Sequence, residues 1–270
     1  ERMQAVAIAT QLDYYYFQGT NEDSVIHYTN KVKEFAKATH QPKYYYFAWA
    51  NRLITYYLKT SRTNIALYEV QNMLKEAQEE DDKTGLSRCY NIMSQIYTIK
   101  RFDSMAFEWR LKEIELTEKY KIENYNISQT YAQIANYYIN QKKQKEALAA
   151  VEKAIATANS STQQISAKLE FVNYYSKFGD FQAAEKLLKE CQAAFEQDKR
   201  LESIKKRLYN IECLYYQQTK QYQKALEAAK MQEKEERRLS ESILSSIHYR
   251  TQGEIYQKMG NMNLAVKYLQ

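Results

Sequence analysis

A tyrosine that is followed nine residues later by a small residue recurs along the chain and constrains the fold more than any other feature. The seven tyrosines, called the repeat tyrosines below, are Tyr16, Tyr57, Tyr97, Tyr138, Tyr175, Tyr216 and Tyr256. Their partners are Val25, Ala66, Ala106, Ala147, Ala184, Ala225 and Ala265, with successive spacings of 41, 40, 41, 37, 41 and 40 residues. Such a fixed period predicts a repeat architecture.

The composition favours helices. One proline and five glycines in 270 residues leave little punctuation for strands and hairpins. Ala, Leu, Glu, Lys and Gln, which are good helix formers, fill the sequence. We therefore expect an all-α protein.

The repeated pair has a packing explanation. An alanine lets two helix backbones approach closely, and a tyrosine ring fills the space beside that contact while its hydroxyl stays at a polar edge. Three residues before each repeat tyrosine the side chain is small in most repeats, as in Ser94, Ala135 and Gly253. We interpret the tyrosine and the alanine as structural residues.

This pattern resembles the tetratricopeptide repeat, a helical hairpin with an aromatic, a Leu, a Gly or Ala and a Tyr in its first helix. The resemblance covers nearly the whole chain and is strongest around Gly253, Tyr256 and Ala265, and around Tyr175 and Ala184. The repeats are about six residues longer than the standard ~34, and the usual closing proline is absent. The resemblance implies one domain over residues 1–270, a right-handed α-solenoid of about seven hairpins with the last one truncated.

The expected hairpins alternate first and second helices. Their predicted bounds are 4–17 and 22–39, 43–58 and 62–80, 86–100 and 103–120, 123–141 and 144–158, 163–178 and 181–196, 201–219 and 222–238, and 240–259 followed by a helix from 261. We expect the open apolar face of the last hairpin to serve as a homodimer contact.

Several classes of function are not expected. The 39 basic and 33 acidic residues are interspersed, so the sequence offers no basic stripe for nucleic acid. No stretch approaches the ~18 apolar residues needed for membrane insertion. The three histidines, His27, His40 and His248, lie far apart, and no phosphate-binding loop or catalytic motif occurs. We predict no cofactor, no metal and no enzymatic activity.

The three cysteines leave two alternatives open. Cys89, Cys191 and Cys213 have no CxxC spacing and suit small buried residues. A Cys191–Cys213 disulfide is the other interpretation, and the compartment stays open with it.

Stacked hairpins expose one face of each first helix on a concave surface. Residues two and six positions before each repeat tyrosine lie on that face, and two arginines lie nearby. The candidate peptide-binding residues are Asn51, Arg88, Asn91, Gln95, Asn136, Asn173, Arg207, Asn210 and Arg250. Amides can grip a peptide backbone, and the arginines favour a carboxylate-bearing ligand. The alternative is that these residues only solvate a helix face, with Arg250 neutralised by Glu254.

The sequence does not predict a chaperone carboxylate clamp or an aromatic ligand groove. A chaperone carboxylate clamp would need lysine and asparagine on one first helix, and Asn51 with Thr55 does not match. Of the tyrosine doublets, the first member is expected to pack against the preceding hairpin. The triplets 14–16 and 44–46 are expected to be exposed, since a helix cannot bury three consecutive side chains on one face.

The long, tyrosine-rich repeats also resemble the tetratricopeptide sensor regions of bacterial regulators. This implies a non-enzymatic module that binds a protein or peptide and senses a ligand or partner, placed in the periplasm as part of a membrane-anchored regulator. The alternative is a cytoplasmic adaptor or scaffold that mediates protein assembly.

Overall fold

The computed structural model describes residues 2–19, 21–238 and 245–270, and the regular elements within these ranges are all helices. The chain divides into two compact units, residues 1–124 and 125–270. Each unit is built from helical hairpins, as the repeat period predicts. The single domain over 1–270 stays a prediction.

The first unit contains three hairpins. Its elements are α1 (Arg2–Gln18), α2 (Glu22–Ala38), α3 (Pro42–Ala48), a π-helical segment (Trp49–Ile54), α4 (Thr55–Lys59), α5 (Thr63–Glu79), α6 (Lys83–Ile99) and α7 (Asp103–Tyr120). The helix that the sequence predicts over 43–58 is therefore interrupted by the π segment, within which helical turns are wider.

The second unit contains four hairpins. Its elements are α8 (Ile127–Asn140), α9 (Gln144–Ala156), α10 (Ser161–Phe178), α11 (Phe181–Gln197), a 3-10 segment (Lys199–Ile204), α12 (Lys205–Gln218), α13 (Tyr222–Arg238), α14 (Ser245–Lys258) and α15 (Met262–Leu269). The predicted start of the seventh hairpin at Ser240 lies outside the described residues. The expected homodimer contact on this hairpin stays a prediction.

Local sequence sets the helix ends. Asn21, Asp82 and Asp180 each accept a hydrogen bond from a backbone N–H three residues later, at 2.7–3.0 Å, and so cap the helix that follows. Pro42 occupies the first turn of α3, where its missing N–H leaves no donor unpaired. Gly179 ends α10 with φ of 91°, a conformation that suits glycine.

The predicted packing rule is confirmed. All seven small partners of the repeat tyrosines are at most 2% exposed. The repeat tyrosines themselves are buried or half-buried. At Gly253, an added Cβ would lie 2.7 Å from Cγ of Leu269 on the paired helix, so a larger residue there would displace the Leu269 side chain.

The consecutive tyrosines are only partly as expected. Tyr14 and Tyr44 are exposed, as predicted for the triplets. The same expectation is wrong for Tyr16, Tyr45 and Tyr46, which are buried. The hydroxyls of Tyr45 and Tyr46 donate to Glu76 on α5 and to Glu80 directly after its end. In the doublets, Tyr56, Tyr174 and Tyr215 are buried.

All three cysteines are free and buried. Cys191 and Cys213 pack in separate hydrophobic clusters, so the alternative of a disulfide between them is wrong for this structure. Burial raises the pKa of the Cys191 thiol to about 11 and also raises the pKa of the Cys89 and Cys213 thiols. Among the described residues, no helix is both long and apolar enough to span a bilayer.

Candidate functional site

Three first helices of the second unit form a layer, in which α10 contacts both α8 and α12. A cavity of about 540 Å³ opens on this layer and is called the unit 2 groove. The side chains that line it include Gln129, Thr162, Gln163, Ser166, Lys206 and Asn210. Most of them lie in the N-terminal halves of the first helices.

The unit 2 groove is polar and lacks acidic residues among its described lining. Gln129, Ser166 and Arg207 occupy the same place in three consecutive repeats, nine residues before the repeat tyrosine. Their side chains offer donors and acceptors at repeated positions. Lys206 supplies a positive charge, whereas Arg207 is paired with a carboxylate. The groove therefore suits an extended, uncharged or negatively charged polar chain.

Arg207 forms an ion pair with a buried carboxylate. Its Nη2 donates to Oε1 of Glu170 at 2.7 Å, and Glu170 is 3% exposed. The Nδ2 of Asn173 donates to Oε2 of the same glutamate at 3.4 Å. We expected the side-chain amide of Asn173 to be exposed, and this is wrong, since Asn173 is only 8% exposed. Its amide is instead hydrogen-bonded to the buried carboxylate of Glu170. Asn173 therefore contacts the glutamate that pairs with Arg207, and it does not face the groove as a ligand-binding amide.

In the first unit, Arg88 occupies the place that Arg207 occupies in its own repeat. Its Nη1 donates to Oδ1 of Asn51 at 2.8 Å, and its Cζ lies 5.8 Å from the centroid of the Phe47 ring. The Nε atom is buried and has no hydrogen-bond partner among the described residues. Desolvation lowers the pKa of Arg88, with no neighbouring carboxylate to raise it.

The π segment positions the partner of Arg88. It carries Asn51 and Arg52, and Arg52 donates to the backbone oxygen of Asn51 at 3.0 Å. Arg52 is itself paired with Asp13, and its Cζ lies 4.7 Å from the same Phe47 ring. Two guanidinium groups thus flank one phenylalanine, and of these Arg52 has a carboxylate partner.

Asn91 and Gln95 come together, as their spacing predicts. The Nε2 of Gln95 donates to Oδ1 of Asn91 at 2.7 Å. The Nδ2 of Asn91 lies 3.1 Å and 3.2 Å from the oxygens of Glu113, which is 1% exposed and also accepts from Asn124 at 2.9 Å. Asn91 is therefore engaged in solvating a buried carboxylate.

The remaining candidates lie near the surface. Asn136 accepts from Asn140 at 2.9 Å, and Asn210 is exposed at the unit 2 groove. Arg250 pairs with Glu254 at 2.9 Å, which is the local neutralisation that the sequence alternative describes. Whether any of the nine residues binds a peptide stays a prediction.

The sequence interpretation missed Gln129, Ser166 and Thr162, which line the unit 2 groove. The repeat spacing could have identified Gln129 and Ser166. They share the position of Arg88 and Arg207 in the repeat, one helical turn before the position that holds Asn51, Asn91 and Asn210.

Stacked two-helix units with a buried tyrosine and alanine at a 37–41-residue period define a tetratricopeptide-like helical-repeat protein. No protein-family model matches the sequence, and a search among curated proteins finds no significant match. Solved structures do match, and their identities of 12–15% establish the fold alone.

Three of these structures cover nearly the whole chain. NprR in complex with its cognate peptide NprX matches 97% of this chain and 76% of its own, with a TM-score of 0.65 and 12% identity. A Rap protein complexed with competence and sporulation factor matches 98% and 85%, with a TM-score of 0.60 and 15% identity. A tetratricopeptide repeat protein from Parabacteroides merdae ATCC 43184 matches 97% and 91%, with a TM-score of 0.55 and 14% identity.

Proposed function

We propose that this chain is a non-enzymatic module that binds an extended peptide in the unit 2 groove. The observation that carries the proposal is the recurrence of polar side chains at one place in three consecutive first helices, without an acidic residue in the groove lining. A peptide main chain presents one donor and one acceptor per residue. Side chains such as Gln129 and Asn210 offer both.

The spacing of the helices suits an extended chain. Neighbouring helices pack about 8–10 Å apart, and an extended strand rises about 3.3 Å per residue. One hairpin therefore corresponds to about three peptide residues, and the layer formed by α8, α10 and α12 spans roughly six. Amide and hydroxyl contacts at every third residue would grip the backbone, while Lys206 would favour a peptide with few positive charges.

The finer part of the proposal is that the module senses a peptide within a bacterial signalling regulator. It is supported by the likeness to NprR, which was crystallised with its cognate peptide, and to a Rap protein, which was crystallised with competence and sporulation factor. The placement in the periplasm, expected from the sequence, belongs to this finer part. Fractionation of cells that express the protein from its native gene would test it, and recovery only in the cytosol would contradict it.

A selection from a library of random peptides would test the groove. Peptides enriched on the native chain are labelled, and their affinities are measured by fluorescence anisotropy for two variants. Ser166→Trp fills the groove, whereas Ala193→Trp places the same ring on an exposed position of α11. We expect Ser166→Trp to weaken binding by about tenfold or more, which corresponds to about 1.4 kcal/mol.

The control variant Ala193→Trp should bind within about a factor of two of the native chain. Both variants should retain the helical circular dichroism spectrum. Equal affinity of the native chain and Ser166→Trp would show that peptides bind elsewhere. Failure to enrich any peptide would contradict the proposed function.

A further inference from the structure

A second cavity lies in the first unit, where the first hairpin meets the start of α3, and is called the hairpin 1 cavity. Its volume is about 670 Å³, which is within the range of small-molecule binding sites. The helices α1 and α2 supply most of its walls, with apolar side chains such as Ile8, Val32 and Phe35. Tyr44 of α3 lines the remaining side.

The sequence of α1 explains why there is room for this cavity. Ala9 lies seven residues before the repeat tyrosine of its hairpin and lines the cavity. In four later repeats the residue at this place is a tyrosine, namely Tyr90, Tyr131, Tyr209 and Tyr249. One turn before Ala9, on the same face of the helix, α1 has Ala5 where the third hairpin has Leu86. Two small side chains thus stand where other first helices carry large ones.

The tyrosine rings of the later repeats show what usually fills this space. The Tyr90 ring lies 5.4 Å, between centroids, from the ring of Trp109 on the paired helix α7. The hydroxyl of Tyr131 accepts a hydrogen bond from Nζ of Lys153 on the paired helix α9 at 3.3 Å. A phenol ring therefore packs between the two helices of a hairpin at this place. With Ala9, the corresponding space between α1 and α2 stays open.

The polar groups of the cavity lie together, at the end of α2 and the start of α3. The side-chain amide of Gln41 and the hydroxyl of Tyr44 make no hydrogen bond to any of the described residues. The hydroxyl of Thr39 donates to the backbone oxygen of Phe35 at 2.8 Å and can still accept. The described lining contains no charged side chain, so a charged group would lose its water without gaining a counter-charge.

We propose that the hairpin 1 cavity binds a small, uncharged ring compound with one hydrogen-bonding group, of the phenol or indole class. Such a compound supplies the ring that α1 lacks at Ala9, and its hydroxyl or N–H group pairs with Gln41 or Tyr44. The Phe35 ring offers an aromatic contact. The cavity shares no residue with the unit 2 groove, so this inference does not depend on the proposed function.

Methyl NMR of the whole chain tests the inference. The signals of Ile8 and Val32, assigned with Ile8→Val and Val32→Ile variants, are followed during titration to concentrations on the order of 5 mM. The probes are p-cresol and indole. Methylcyclohexanol, which has no aromatic ring, and p-toluate, in which a carboxylate replaces the hydroxyl of p-cresol, are the controls. N-acetyltyrosinamide presents the same phenol as part of a polypeptide.

We expect both signals to shift with p-cresol or indole, with a dissociation constant of about 1 mM or below. Methylcyclohexanol should bind at least about threefold more weakly, because it makes no aromatic contact with Phe35. The carboxylate of p-toluate has no cation to pair with and should weaken binding by a similar factor, about threefold.

Three results would overturn the inference. The first is the absence of a shift with both probes, and the second is a response to either control that equals the response to p-cresol. The third is tighter binding of N-acetyltyrosinamide than of p-cresol, which would assign the cavity to a tyrosine side chain of a partner protein.

Two variants locate the binding site. Ala9→Tyr supplies the ring from within the chain, and Ala5→Leu fills the cavity from the neighbouring turn, so p-cresol should no longer shift the signals of either variant. Ala7→Tyr places the same ring on an exposed position of α1 outside the cavity and should bind p-cresol within about a factor of two of the native chain. Circular dichroism checks that the variants fold. A folded Ala9→Tyr or Ala5→Leu variant that responds as the native chain does would contradict the assignment.

Discussion

Arg88 and Arg207 stand at the same place in their repeats, nine residues before a repeat tyrosine, yet only Arg207 has a carboxylate partner among the described residues. The residue that each of them contacts lies 37 positions earlier in the chain, and it is Glu170 for Arg207 and Asn51 for Arg88. The same architecture thus gives one guanidinium a carboxylate partner and the other an amide partner.

The small partners of the repeat tyrosines should not tolerate enlargement. Ala147→Leu forces three extra carbon atoms into a fully buried contact of α9 and should lower the free energy of unfolding by about 1–3 kcal/mol. Ala149→Leu, two residues later and exposed, should change it by less than about 0.5 kcal/mol. Urea denaturation of both variants measures the difference, and equal stabilities would contradict the packing rule.

Gly85 should be required by a tyrosine of the preceding hairpin. A Cβ added at Gly85 would lie 2.7–2.9 Å from three ring carbons of Tyr46, which is fully buried. Gly85→Ala should therefore destabilise the chain by about 1–3 kcal/mol, although alanine favours helix by up to about 1 kcal/mol. The neighbouring Thr84→Ala has no such clash and serves as the control in thermal denaturation. A Gly85→Ala variant as stable as the control would mean that Tyr46 can move aside.

Asn91 should act on stability rather than on ligand binding. Asn91→Ala removes an amide from the buried carboxylate of Glu113 and should cost about 1–3 kcal/mol. Gln95→Ala, which removes an exposed neighbour of the same network, should cost less than about 0.5 kcal/mol. Chemical denaturation measures both, and an unchanged stability of Asn91→Ala would return Asn91 to the ligand-binding candidates.

The three thiols should be inert in the native chain. Burial blocks access to them and raises their pKa, to about 11 for Cys191, so little thiolate forms at pH 8. A chromogenic disulfide reagent at pH 8 should label less than one thiol per native chain. In denaturant, where the pKa returns to about 8.5, it should label all three cysteines. Rapid labelling of native Cys191 would contradict the buried packing described for it.

The sequence predicted the parts of the fold that depend on local period. The spacing of Tyr175 and Ala184 sufficed for a hairpin, because side-chain size at a repeated position determines how two helices pack. The π segment at Trp49–Ile54 was not predictable in this way. Its residues suit an ordinary helix as well.

The binding candidates were predicted less well, and the reason is physical. Asn51, Asn91 and Asn173 are alike in the sequence, but Asn51 contacts a side chain of the next repeat, Asn91 one of its paired helix and Asn173 one of its own helix. Asn173 and Asn91 meet buried glutamates, whereas Asn51 meets Arg88. Whether a carboxylate beside a given amide is buried depends on packing between helices. The repeat period alone does not predict it.

The most direct test of the account compares the melting temperatures of Arg88→Met and Arg207→Met. Methionine keeps the apolar stem of each side chain and removes its charge. Arg207→Met leaves Glu170 buried without its cation and should lower the melting temperature by about 5 °C or more, a loss that a second change, Glu170→Gln, should largely restore. Arg88→Met removes a charge that has no partner and should leave the melting temperature unchanged or raise it. A loss for Arg88→Met as large as that for Arg207→Met would contradict the account, in which only Arg207 compensates a buried carboxylate.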